Sequence, residues 1–204
     1  GEMADGAGAS GSGSGSGGAG RGDEEARART QKYVDKALAR DPKVKFILDA
    51  MEKSGCSVDV TGGESFFKVE HCEAEIAGGF RPTSGVVVCQ NHVQTQEEVN
   101  NLLAHELIHA YDHCRAKDLD WNNCMHHTCS EIRAASLSGD CNWFFEALRG
   151  NFGLKKQHQE CVRRRAKLSI AMNPACGDND QQLKAVDDCF EKCFADTAPF
   201  DRIP

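Results

Sequence analysis

Two histidines four residues apart with a glutamate after the first, His105-Glu106-Leu107-Ile108-His109, can act together only if this stretch of the chain is a helix. On a helix the two imidazoles lie about 6 Å apart along one face, so both rings can turn onto a single ion. Glu106 then sits roughly 100° round from His105, where it reaches a water on that ion and not the ion itself. The flanking residues supply the helix. Thr95 and Glu98 have the spacing of a capping box. Val99, Leu103, Leu107 and Ala110 recur at helical spacing and give the helix a buried side, leaving His105 and His109 on a flank that faces a cleft. The pattern is the core of a zinc hydrolase, with Zn2+ on His105 and His109 and Glu106 as the catalytic base. A purely structural zinc site fills four positions with Cys and His and has no use for a glutamate between its ligands.

A catalytic zinc needs a third protein ligand and an open position for water. His113 is near in sequence but about 12 Å from His105 along a continuous helix, and no Gly or Pro follows His109 to break that helix. Better candidates lie on a second helix, Met125 to Ala135, reached through a loop over Asp118 to Asn123. Glu131 leads there, with His127 and His126 as alternatives. As plain structure, Glu131 would pair with Arg133 or a neighbour.

Eleven cysteines are spread from Cys56 to Cys193 without a C-x-x-C pair, which disfavours a zinc ribbon and suits disulfides that staple helices together in an oxidising compartment. Cys189 and Cys193 lie one helical turn apart and face a helix that carries Cys161. An odd count leaves one thiol free or one bond intermolecular. Residues 1–22 form a Gly/Ser-rich tail that cannot build a core, and Gly1-Glu2 ahead of Met3 reads as an expression scar. Residues 23–204 are long enough for a single domain. No apolar run is long enough to span a bilayer, and the amino terminus has neither a secretory core nor an Arg-rich amphipathic start. A formal charge of −7 argues against nucleic-acid binding by the whole domain. The basic segment 155–170, with Lys155-Lys156 and Arg163-Arg164-Arg165, reads as a solvated helix face or as a dock for anionic lipid headgroups.

Elsewhere, Lys32 to Lys53 reads as helix broken at Asp41-Pro42. Ser57–Val60, Phe66–Glu70, Ile76–Phe80 and Val86–Cys89 read as short strands between Gly-rich turns, with 86–89 an edge strand on which a peptide substrate aligns. Helices follow over 141–148, 155–172 and 180–194. The fold class is α+β and zincin-like, mostly helical with a small antiparallel sheet beside the active-site helix.

Beyond the motif, His105 to Ala116, Cys129-Ser130-Glu131-Ile132-Arg133-Ala134-Ala135 and Leu137-Ser138-Gly139-Asp140-Cys141 resemble the mitochondrial inner-membrane metalloproteases that help assemble ATP synthase, the Ku-binding-protein-like HExxH zinc peptidases. Gly78-Gly79-Phe80, Val88-Cys89-Gln90-Asn91, Phe152-Gly153-Leu154-Lys155, Gln159-Glu160-Cys161-Val162-Arg163 and Pro199 to Pro204 extend the likeness over roughly residues 31–204. The resemblance implies a peripheral protein on the intermembrane-space side of the mitochondrial inner membrane. It would clip an amino-terminal presegment from the proton-channel subunit of ATP synthase and chaperone that subunit into the complex. It also implies that His105 and His109 bind zinc and Glu106 is catalytic, without deciding the third ligand. Cys124 and Cys176 are additions to the family's cysteine pattern. Two other readings compete: an assembly factor whose active site is dispensable, and a protease of DNA-bound proteins, which the acidic balance and dense cysteines oppose.

Overall fold

The structure, a computed structural model, describes residues 16–59, 65–141 and 157–204. Among them the chain forms α1 (Ser16–Arg40), α2 (Pro42–Lys53), β1 (Phe67–Glu70), β2 (Gly78–Arg81), β3 (Gly85–Cys89), α3 (Gln96–Arg115), α4 (Cys124–Leu137), α5 (Gln157–Ile170) and α6 (Asn179–Ala195). The architecture is α+β and mostly helical, with one small sheet against α3. The helix expected over 141–148 lies outside the described residues except for Cys141, as do Lys155 and Lys156.

The breaks fall where backbone chemistry puts them. Asp41 separates α1 from α2: its side chain accepts from the amides of Lys43 and Val44, while Pro42 fills the first turn where no amide is needed. At the start of α3, Thr95 accepts from the Glu98 amide and the Glu98 carboxylate accepts from the Thr95 amide, a complete capping box. α1 begins at Ser16, inside the stretch that composition assigns to the tail. The strong helix formers between Asp23 and Arg29 carry the helix upstream through glycines that add no burial, Gly20 and Gly22 being exposed.

The sheet is mixed, where alternation and turns predict an antiparallel one. Its order is β1-β3-β2; β1 runs parallel to β3 with Phe67 opposite Val86, and β2 antiparallel with Gly78 opposite Val88. A tight hairpin joins β2 to β3, and it closes on Gly85 at φ 85°, where a Cβ would stand 2.1 Å from the Phe66 carbonyl oxygen. β1 takes the other side of β3, its end tied there by the Cys72–Cys89 disulfide and by the Asn91 side chain on the Cys72 backbone. β3 is therefore central and buried along its whole length, not the edge strand expected. Three consecutive valines with no polar alternate are what burial on both faces requires. The edge beside α3 belongs to β2. Ser57–Asp59 form no strand, and Val60 lies outside the described residues.

Two apolar clusters fill the interior. One joins α1, α2, the sheet and α3 through Val34, Ile47, Val88, Leu103, Leu107 and Ile108. The other joins α4, α5 and α6 through Ile132, Val162, Ile170, Val186 and Phe190. α4 lies between them, giving Ala134 and Leu137 to the first and Ile132 and Ala135 to the second, so every residue from Ser130 to Leu137 is buried.

Five disulfides close the described structure: Cys56–Cys114, Cys72–Cys89, Cys124–Cys176, Cys129–Cys193 and Cys141–Cys161. The two added cysteines, Cys124 and Cys176, thus pair with each other. Cys189 is the free cysteine; its partner in the expected facing pair, Cys161, is taken by Cys141. Thiol titration of denatured, unreduced protein is expected to find one reactive group per chain. Replacing Cys129 and Cys193 together by serine should lower the unfolding free energy by about 2–4 kcal/mol in a urea titration.

Candidate metal centre

α3 and α4 meet where both present polar residues in a buried setting. His105, Glu106 and His109 on α3 and Glu131 on α4 are all less than a tenth exposed. The two imidazole rings lie 4.9 Å apart and nearly perpendicular. His105 Nε2 stands 3.5 Å from Glu131 Oε2, and His109 Nε2 stands 3.4 Å from Glu131 Oε1. The ligand atoms of His105, His109 and Glu131 all fall within 4.8 Å of one another.

The remaining ring nitrogens are engaged from behind. His105 Nδ1 donates to Asp140 Oδ2 at 3.1 Å, and Arg165 donates to the same oxygen. Gly139, at φ 98°, turns the chain out of α4 so that Asp140 reaches back to His105. His109 Nδ1 lies 2.8 Å from Ser130 Oγ, and the one proton of Ser130 goes to Asp112 Oδ2, a carboxylate that can only accept. His109 Nδ1 must therefore donate, which leaves its Nε2 as a lone pair facing Glu131. Arg133, fully buried, donates to both oxygens of Asp112 and to the carbonyls of Asp196 and Ala198. It pairs with Asp112 and not with Glu131.

The arrangement calls for a cation. Glu131 Oε2 is buried with no hydrogen-bond partner among the described residues, and an unmatched buried carboxylate oxygen beside imidazole lone pairs is costly. Burial opposes charge on Glu131, but the three surrounding rings of His109, His105 and His127 outweigh it and hold its carboxyl well below the usual range. Burial pushes His109 down to about 3, so its ring is neutral. Burial also works against a charged His105, but the hydrogen bond to Asp140 and the nearby Glu131 carboxylate prevail and raise it well above its ordinary value. A divalent metal would displace the proton from His105 Nε2, and the donor set would then be two imidazole nitrogens and one anionic carboxylate, which suits a catalytic zinc. Glu106 differs: burial pushes it up to about 7, against the pull of His105. A carboxylate tuned there can take and return a proton near neutral pH.

Of the other candidate ligands, His113 and His126 lie apart. α3 continues to Arg115 without a break, and His113 sits exposed against Phe80 and Trp121. His126 accepts from the Asp120 amide at the start of α4. His127 is close, with its Nε2 3.2 Å from Glu131 Oε1. The supporting residues Asp112, Ser130, Arg133, Asp140 and Asn173 carry no spacing signal in the sequence; only Asp112, one turn after His109, could have been found by helix geometry.

The centre opens into a cleft of about 840 Å³ whose walls include Gly78, Gly79 and Phe80 of β2, Trp121, and Leu168 and Met172 from the end of α5. β2 is thus the edge strand that borders the site. On α5, Arg163 pairs with Asp187 at 2.6 Å and stacks 3.6 Å over the Phe190 ring, and Arg165 holds Asp140. No helix of the described residues is long and apolar enough to cross a membrane.

Against known proteins, the family model described as the Peptidase M76 family matches residues 28–201. The chain belongs to the Peptidase M76 family. It is a peptidase by that membership, and its relatives say the same. The mitochondrial inner membrane protease ATP23 homolog of Homo sapiens is 49% identical over 173 residues, spanning 83% of this chain and 68% of that protein. The homolog of Xenopus laevis is 48% identical, spanning 82% and 70%. The mitochondrial inner membrane protease ATP23 of Malassezia globosa is 40% identical, spanning 85% and 76%. No solved structure matches. In this M76 chain Arg133→Met would take from the buried Asp112 the guanidinium that spans both its oxygens, leaving it only Arg115 and Ser130 among the described residues, and urea unfolding is expected to show a loss of about 3 kcal/mol.

Proposed function

We propose that the chain is a zinc metalloendopeptidase in which His105, His109 and Glu131 hold the ion and Glu106 is the general base. The observation that carries this is the buried Glu131 Oε2, without a hydrogen-bond partner among the described residues, facing His105 Nε2, with Glu106 raised to about 7 beside it. When bound, zinc supplies a Lewis acid that polarises the scissile carbonyl and makes water a stronger nucleophile. Glu106 takes a proton from the attacking water and returns it to the departing amine. His105 and His109 keep fixed orientations because Asp140 and Ser130 occupy their Nδ1 atoms. The free edge of β2 offers backbone groups to an extended substrate, which would lie along the cleft as an added strand.

The names of the relatives support a mitochondrial role at the inner membrane. With the resemblance over most of the chain, they favour the amino-terminal presegment of the ATP synthase proton-channel subunit as substrate. Five disulfides suit the intermembrane-space side of that membrane.

Glu106→Gln removes the base but no ligand, so it should retain one zinc per chain and lose at least about 100-fold in peptide cleavage. Unchanged cleavage would refute the role of Glu106. Glu131→Ala should lose both zinc and cleavage, read by metal analysis after dialysis and by the same assay; full zinc retention would exclude it as a ligand.

A further inference from the structure

His127 lies on the same face of α4 as Glu131, one turn earlier, and the hydrogen bonds around it leave a single choice of proton position. The choice starts at Asn173, which follows α5. Asn173 Oδ1 accepts from the Ala175 amide at 3.0 Å, the cap of the short 3-10 helix Pro174–Cys176. Its Nδ2 lies 3.0 Å from the Trp121 carbonyl oxygen, which can only accept. These two bonds fix which end of the amide is oxygen and which is nitrogen. The second hydrogen of Nδ2 then points at His127 Nδ1, 2.9 Å away, and that ring nitrogen must be the acceptor. The ring proton is left on Nε2, which faces Glu131 Oε1 at 3.2 Å.

We infer that His127 is a positioning residue for Glu131: Asn173 holds it as the Nε2–H tautomer, and it donates that proton to Glu131 Oε1. This rests on the zinc reading of Glu131 and deepens it. The bond engages Oε1 and leaves Oε2, the oxygen without a hydrogen-bond partner, as the atom turned to His105 Nε2. It also removes His127 from the candidate ligands, because one ring nitrogen accepts from Asn173 and the other carries a proton aimed at a carboxylate. Each member of the donor set then has a support of its own: Asp140 behind His105, Ser130 behind His109 and His127 behind Glu131.

The test uses the full oxidised chain and two readouts that do not involve cleavage. Nitrogen NMR of labelled histidine should find His127 protonated at Nε2 and not at Nδ1, with and without zinc. Protonation at Nδ1, or loss of the Nε2 proton when zinc is added, would overturn the inference. Asn173→Asp keeps the cap, since aspartate accepts from the Ala175 amide equally well, but it replaces the donor by an acceptor and should place a proton on Nδ1. In a chelator competition, His127→Leu should bind zinc about 10- to 100-fold more weakly at unchanged stoichiometry. His127→Gln, whose amide can still donate to a residue one turn on, should recover part of that loss. Unchanged affinity in His127→Leu, or loss of its zinc with retention in Glu131→Ala, would overturn the role. If the wild-type chain takes up no zinc, the zinc reading fails separately, and the tautomer in zinc-free protein still decides the assignment.

Discussion

A carboxylate buried against two imidazoles is the constraint on which the rest of this molecule depends. Glu131 and His109 are brought together with almost no exposure, so burial weakens the solvation of both the anion and the lone pair beside it. Such a cluster stays in place only if its geometry is imposed from outside. The imposition is visible in the partners: Asp140 and Arg165 behind His105, the chain Ser130, Asp112 and Arg133 behind His109, and His127 with Asn173 behind Glu131. These contacts keep three electron-rich atoms converging where an unconstrained chain would separate them.

The cysteines serve the same end at a larger scale. α3 carries two members of the cluster and α4 the third, so the relative position of these two helices fixes the site. α4 is the more heavily tied. Cys124 joins its start to the 3-10 helix and Cys129 joins its middle to α6; Cys141, just past its end, is joined to α5. Each of these bonds closes a loop of many residues and so removes conformational freedom from the unfolded chain. Each also limits how far α4 can slide when charge changes at Glu131. The Cys124–Cys176 bond has a further consequence, because Cys176 belongs to the turn that Asn173 caps. The cysteines that the resemblance marks as additions therefore secure the residue that orients His127.

What could be read from the sequence follows from range. The capping box at Thr95 and Glu98, the apolar stripe of α3 and the Asp41-Pro42 break are local, set by residues within one or two turns, and they stand in the structure at those residues. The sheet was legible in its segments but not in its order. Val86-Val87-Val88 announces a strand, but whether it lies central or at the edge depends on which neighbours pair with it, and the weakly β-forming Gly78-Gly79-Phe80 becomes the edge. At the site, spacing was enough to bring His105, Glu106 and His109 onto one helix, and to separate His113 from them. Glu131, His127 and His126 all sit on α4, and spacing alone cannot rank them; burial and the direction of each ring do. Asp140 and Arg133 reach the site across the fold and leave no trace in sequence periodicity.

The carboxy-terminal third supplies none of the three candidate ligands, yet the site is built on it. Arg165 comes from α5, Asn173 from the turn after it, and the carbonyls that hold Arg133 come from Asp196 and Ala198 at the end of α6 and beyond. Arg133 is bound to Asp112 on one side and to this last segment on the other, so the orientation of His109 is coupled through Ser130 and Asp112 to how the segment after α6 lies on the body. A buried guanidinium needs every donor matched, and among the described residues Arg133 finds its acceptors in the carboxylates of Asp112 and Asp196 and in two backbone carbonyls. The same part of the chain carries Leu168 and Met172 to the wall of the cleft. The region that orients the donor set therefore also shapes the surface that a substrate meets, and a change in how it packs would be felt at both.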